Sequence, residues 1–126
     1  MARFLTILVV EDDSAVRDLV MRMLSEKGFG VLTANDGYEA LRILAAHHVD
    51  LLFADIVMPG IDGVQLARQA KQMRPEIKVL FATGYAQKVT ERGAMHVGRV
   101  LYKPLRQAEL VREVEALLAA WMLLFK

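Results

Sequence analysis

Leu51-Leu52-Phe53-Ala54-Asp55-Ile56-Val57-Met58-Pro59-Gly60 is the stretch that decides the fold. It opens with four uninterrupted apolar residues, reaches a carboxylate, and breaks into a turn. Strands buried on both faces read as continuous apolar runs rather than as alternating ones. Leu51 to Asp55 is therefore expected to be an inner strand with Asp55 at its C-terminal tip. A second run of the same kind, Ile7-Leu8-Val9-Val10, ends in Glu11-Asp12-Asp13. In open α/β sheets, ligands bind in the crevice beyond the carboxyl ends of the strands. Two strand tips carrying acids point to one acidic pocket. Close carboxylates repel and are costly to desolvate, so a positive partner is expected there.

Working outward, apolar strand-like runs alternate with helical patterns over the whole chain. The expected strands are Phe4 to Val10, Val31 to Ala34, Leu51 to Asp55, Ile77 to Ala82 and Arg99 to Tyr102. Between them, Ser14 is the expected N-cap of a first helix, with Val16, Leu19, Val20, Met23 and Leu24 on one face and a stop at Gly28. Asn35-Asp36-Gly37 reads as a turn before a second helix carrying Ala40, Leu41 and Leu44. A third helix runs from about Gly63 to Met73, and Pro75 forces its exit. Residues 85 to 95 carry little apolar periodicity, so a fourth helix is expected to be short or loosely held. A fifth runs from about Gln107 to the end. This alternation predicts a single α/β domain over residues 1–126, a mostly parallel five-stranded sheet covered on both faces. Right-handed crossovers make it a doubly wound three-layer sandwich.

Composition narrows the function classes. Of 126 residues, 55% are apolar, enough for a core of one domain. Sixteen basic and fifteen acidic residues leave a net charge of +1, which argues against a dedicated nucleic-acid surface or a polybasic membrane patch. There is no cysteine, so disulfides and thiolate metal sites are excluded. No apolar run reaches the length of a membrane span, and Met1-Ala2-Arg3 leads into a strand-like stretch without a cleavage pattern. A cytoplasmic protein is expected.

Two more strand ends carry polar groups: Thr83, and Lys103 ahead of Pro104. Three carboxylates, a divalent cation and one lysine sum to zero charge, as expected of a site that receives an anionic phosphoryl group. Hard oxygen donors suit Mg²⁺. Asp55 is then the nucleophile, since carboxylates form acyl phosphates. Mg²⁺ and Lys103 would offset the transferring oxygens, and Thr83 would donate to them.

Val9-Val10-Glu11-Asp12, Asp55-Ile56-Val57-Met58-Pro59-Gly60-Ile61-Asp62-Gly63, Ala82-Thr83-Gly84 and Lys103-Pro104, in this order, resemble the receiver domain of bacterial two-component response regulators. The resemblance covers essentially the whole chain. It implies a flavodoxin-like sheet with strand order 2-1-3-4-5, and phosphoryl transfer from a histidine kinase, or a histidine phosphotransfer protein, to Asp55. It implies direct Mg²⁺ ligation by Asp12, Asp55 and the backbone carbonyl of Val57. Glu11 would hold a metal-bound water, Thr83 would be the switch hydroxyl, and Lys103 the phosphate-binding amine. Asp13 falls one residue past the acidic pair and is not counted as a ligand. The inward-moving aromatic found in many receivers three positions before the lysine is replaced here by Val100. Tyr102 is set on the opposite strand face from Leu101 and Lys103.

The chain is read as a phosphoacceptor rather than an enzyme acting on a separate substrate. Output would run through protein contacts. The alternatives within the class are a phosphorelay intermediate and a receiver cut from a hybrid histidine kinase. An aspartyl phosphatase would want a second acid two residues after the nucleophile, where Val57 stands. A flavodoxin-type cofactor binder would want a Gly/Ser/Thr phosphate loop where Glu11-Asp12-Asp13 stands. His47, His48 and His96 are not expected to bind metal. Leu110, Val114, Leu117, Leu118 and Trp121 form the core stripe of the last helix. The run Met122-Leu123-Leu124-Phe125 is apolar all round, which makes a homodimer through this helix one possible partner arrangement.

Overall fold

A computed structural model describes residues 4–124. Strands and helices alternate as β1 (Thr6–Val10), α1 (Ser14–Ser25), β2 (Gly30–Ala34), α2 (Gly37–Ala46), β3 (Leu51–Asp55), α3 (Gly63–Met73), β4 (Lys78–Thr83), α4 (Ala86–Arg92), β5 (Arg99–Tyr102) and α5 (Gln107–Leu124). A 3₁₀ turn, Ala94–His96, joins α4 to β5. The strands form one parallel sheet in the order β2-β1-β3-β4-β5. This is the doubly wound α/β sandwich expected from the alternation.

Strand parity divides the core into two layers. Leu8, Val10, Leu52, Ala54, Val79 and Phe81 face α2, α3 and α4, where they meet Ala40, Leu44, Leu66, Ala67, Ala70 and Val89. Ile7, Val9, Leu51, Phe53, Leu80 and Ala82 face α1 and α5, against Val20, Leu24, Leu110, Val114 and Leu118. Both faces of β1, β3 and β4 are buried, which is why their sequences show continuous rather than alternating apolarity.

The boundaries move in informative ways. β1 begins at Thr6 rather than Phe4, whose side chain is exposed. β4 runs from Lys78 to Thr83, one residue later than expected at each end, so Thr83 is itself a strand residue. The N-cap of α1 is Asp13, not Ser14. Its Oδ1 accepts from Ala15 N at 2.9 Å and Val16 N at 3.2 Å. A carboxylate satisfies these orphan donors and also complements the helix dipole. α1 closes at Ser25, and Gly28 turns the chain beyond it with φ of 90°. Leu19, expected on the buried stripe, is exposed. α4 is short, as its weak periodicity implied. In the last helix, Trp121 and Met122 pack partly against the core, and Leu123 is exposed. The side chains of Leu124 and Phe125 lie outside the described residues.

Candidate functional site

Each polar strand end is placed by the buried run before it. The inner strands are fixed on both faces, so their tips are delivered to one edge with little freedom. Asp55 continues the parity of Leu51 and Phe53, while Thr83 continues that of Val79 and Phe81 towards the α4 side. The sheet ladder extends past the strands to hold the tips: Glu11 N donates to Ala34 O at 3.2 Å, Ile56 N to Ala82 O at 3.1 Å, and Lys103 N to Thr83 O at 2.8 Å.

At that edge the Lys103 amine bridges two carboxylates. Its Nζ donates to Asp55 Oδ2 at 2.9 Å and to Glu11 Oε2 at 3.0 Å. The other Asp55 oxygen accepts from Val57 N at 3.1 Å. Glu11 and Asp55 are buried, and Asp12 is exposed at the rim. One carboxylate oxygen from each of Glu11, Asp12 and Asp55 lies within 4.8 Å of the others. Burial pushes the Glu11 carboxyl up from 4.5 to about 7; the Lys103 hydrogen bond opposes this and the Asp55 charge adds to it. Burial pulls the Lys103 amine down, but its bonds to Asp55 and Glu11 outweigh that and hold it above 10.5. The pocket therefore has more negative charge than one lysine neutralises. An all-oxygen donor set in that condition fits a small hard divalent cation.

The residues expected at the site, Glu11, Asp12, Asp55, Thr83 and Lys103, all lie at this edge. Thr83 is fully buried, and its Oγ1 accepts from Tyr85 N at 3.0 Å. Val57 follows β3 with its side chain partly exposed, and Tyr85 is exposed as well. Asp13 is spent on capping α1. Val100 packs against the α2–α4 layer, and Tyr102, on the same face of β5, is half exposed.

Three contributions escaped the sequence reading. Arg17 Nη1 donates to the Glu11 carbonyl at 2.8 Å, adding positive charge beside the pocket. Its place one turn into α1, on the side of the acidic tip, was the available signal. Gly63 lets α3 start directly under Asp55: a Cβ there would stand 2.1 Å from the Asp55 carbonyl oxygen. Asp62, expected only as a turn and helix start, builds a capping box with Gln65 and also pairs with Arg92 of α4. No local pattern announces that last contact.

A carboxylate pair bridged by a lysine at the C-terminal edge of a 2-1-3-4-5 sheet defines a class of phosphoacceptor-type signalling domains. The model of the response regulator receiver domain matches residues 7–115, and the chain belongs to that family. It is 36% identical over 116 residues to the response regulator receiver protein CpdR of Brucella abortus, covering 90% of this chain and 97% of CpdR. It is 39% identical over 115 residues to the response regulator MprA of Mycobacterium leprae, covering 89% of this chain but only 50% of MprA. Among solved structures, the response regulator TrrA of Thermotoga maritima, in complex with Mg²⁺-BeF, superposes with a TM-score of 0.84 at 30% identity. That match covers 90% of this chain and 99% of TrrA. Among the described residues, no helix is long and apolar enough to cross a membrane.

Proposed function

We propose that Asp55 accepts a phosphoryl group from a phosphohistidine of a kinase or phosphotransfer protein. The observation that carries this reading is the Lys103 amine bridging Asp55 and Glu11 at the strand edge. An Asp55 oxygen attacks phosphorus, the P–N bond breaks, and the imidazole leaves and recovers a proton from solvent. Lys103 turns its free donor capacity towards the phosphoryl oxygens and lowers the charge that builds on them. The Thr83 hydroxyl donates to one of the same oxygens. Val57 N keeps the aspartate oriented through its second oxygen.

Glu11, Asp12 and Asp55 would hold Mg²⁺, with the Val57 carbonyl as the backbone ligand that the family resemblance implies. When bound, the ion supplies electrostatic compensation for the phosphoryl oxygens. The domain acts on no separate substrate: it takes part in its own phosphorylation and dephosphorylation. Its output then runs through contacts with another protein in the cytoplasm, and a second copy of the chain, met through α5, is one such partner. The relatives named above support this reading because they are response regulators.

The test is incubation with Mg²⁺ and acetyl phosphate followed by intact-mass measurement. A single phosphoryl adduct is expected in the wild type and none in Asp55→Asn. An adduct that persists in Asp55→Asn would overturn the assignment of the phosphoacceptor.

A further inference from the structure

Asp12 stands between two elements and belongs to neither. β1 ends at Val10, the ladder continues only as far as the bond from Glu11 N to Ala34 O at 3.2 Å, and Asp13 is already the cap of α1. The Asp12 carboxylate is exposed, and among the described residues no hydrogen bond or ion pair holds it. It nevertheless offers an oxygen within 4.8 Å of those of Glu11 and Asp55. Something other than its own side-chain contacts sets its direction.

The peptide on its N-terminal side does so. The Glu11 carbonyl and the Asp12 N–H share one planar unit, so fixing the carbonyl fixes the plane from which Asp12 hangs. That carbonyl accepts from Arg17 Nη1 at 2.8 Å. Arg17 is half-buried and sits one turn into α1, its own N–H donating to Asp13 O at 2.9 Å. The helix behind it is anchored by buried Val20 and Leu24. The guanidinium therefore ties the acidic loop to a packed element. The loop's other closure, Asp13 N to Glu11 Oε1 at 3.2 Å, is longer and has a neutral donor; a charged donor makes the stronger bond.

We propose that Arg17 is a positioning residue for the divalent-cation site: by holding the Glu11–Asp12 peptide plane against α1, it presets the Asp12 carboxylate as a ligand. The inference rests on the receiver reading above, because it takes Asp12 as a ligand of Mg²⁺. A carboxylate that is already aimed loses little freedom when it binds, whereas a loose one must be ordered at that moment. Charge and position pull in opposite directions here. As a positive charge beside the pocket, the guanidinium repels a cation and weakens its binding. As a clamp on the peptide plane, it strengthens that binding. The sign of the effect on removing Arg17 therefore separates the two roles.

The experiment is a Mg²⁺ titration followed by the amide NMR shifts of residues 11–13 and 55–57. It compares wild type, Arg17→Met, Arg17→Lys, Asp12→Asn, and Asp12→Asn combined with Arg17→Met. Methionine keeps an apolar stem along α1 and is a good helix former, and the same spectra show whether the fold persists. Should that variant unfold, Arg17→Gln takes its place with the same expectation. Arg17→Met is expected to bind Mg²⁺ about tenfold more weakly, as on losing an outer-shell partner of a ligand. Arg17→Lys keeps a charged donor on a long stem and should recover most of that loss. In the Asp12→Asn background, Arg17→Met should weaken binding by less than about twofold more, since the residue it acts through has been changed. Unchanged or tighter binding by Arg17→Met would overturn the positioning role, and so would an undiminished tenfold loss in the Asp12→Asn background. Both results leave the receiver reading intact. No response to Mg²⁺ in the wild type would overturn this inference together with the metal site, while the acetyl phosphate test at Asp55 judges the phosphoacceptor separately.

Discussion

The phosphoacceptor pocket has two walls, and they are built to different standards. One wall is the edge of β1 and β3 with the loop into α3. α3 is eleven residues long, opens on a reciprocal capping box, and buries Gly63, Val64, Leu66, Ala67 and Ala70. The other wall is Thr83 and α4. That helix has seven residues and no side-chain N-cap, and it buries Val89 alone before the left-handed Gly93 ends it. Both helices pack on the same face of the same sheet, so the difference lies in their length, capping and burial. A site that fixes a nucleophile needs one rigid support. Low local burial makes the second support the one that opens more readily.

Truncating a buried anchor of each helix would break this contrast most directly. Leu66→Ala empties a fully buried position of α3 and is expected to cost about 2–5 kcal/mol of global stability in urea unfolding. Val89→Ala on α4 removes two methyl groups and is expected to cost only about 1–2 kcal/mol. Its larger effect should be on hydrogen exchange of the α4 amides, which should open locally rather than with the whole domain. Equal global costs at the two positions would mean that α4 is no weaker than α3.

The rigid wall carries a strain of its own, which pH should reveal. The folded-state carboxyl of Glu11 is raised to about 7 from 4.5. The folded state therefore holds a proton that the unfolded chain releases across that interval. Stability from this group is fully present below about pH 4.5 and is lost as pH rises towards 7. In the presence of a chelator, the wild type should lose on the order of 2 kcal/mol between pH 5 and pH 7.5. Glu11→Gln should flatten this fall, as read from denaturant midpoints at each pH. Mg²⁺ should have a larger stabilising effect on the wild type than on the variant, because ligand binding favours the native state. A wild-type profile that rises over this range would contradict the pocket's excess of negative charge.

The smallest change sharpens the comparison from the other side. Tyr85→Ser gives α4 the side-chain cap it lacks, and should stabilise that helix by about 0.5–1 kcal/mol. Slower exchange at residues 86–92, with little change elsewhere, is the expected reading. No slowing would mean that the first-turn donors of α4 are already satisfied, as Lys88 N is by Tyr85 O at 3.0 Å.

Much of this molecule was legible in its sequence because the deciding patterns are local. Continuous apolarity in Ile7–Val10 and Leu51–Asp55 marks strands buried on both faces, whatever lies around them. Pro75 and Gly28 mark helix ends through their backbones, and Asp36 and Asp62 mark helix starts through side chains that cap the first turn. Acids at strand tips mark a pocket, since such tips meet at one edge of an open sheet. The weak periodicity of residues 85–95 marked α4 as the short helix. The strand order and the direct metal ligands came from resemblance, while the roles of Thr83 and Lys103 followed from charge at the strand ends. Ser14 lost the α1 cap to Asp13 because both residue types fit the position, and only the path of the chain decides between them.

Tertiary structure alone decided how the charges are shared. Lys103 is 92 residues from Glu11 and 48 from Asp55, yet one amine holds both. Arg92 reaches Asp62 across 30 residues, between two helices on the same face of the sheet. The raised Glu11 carboxyl likewise exists only once β1, β3 and β5 have closed around it. Periodicity records which side of an element meets the core, because burial acts on each element separately. Ion pairing and desolvation depend on distances between elements, and those are set when the sheet assembles and its helices pack.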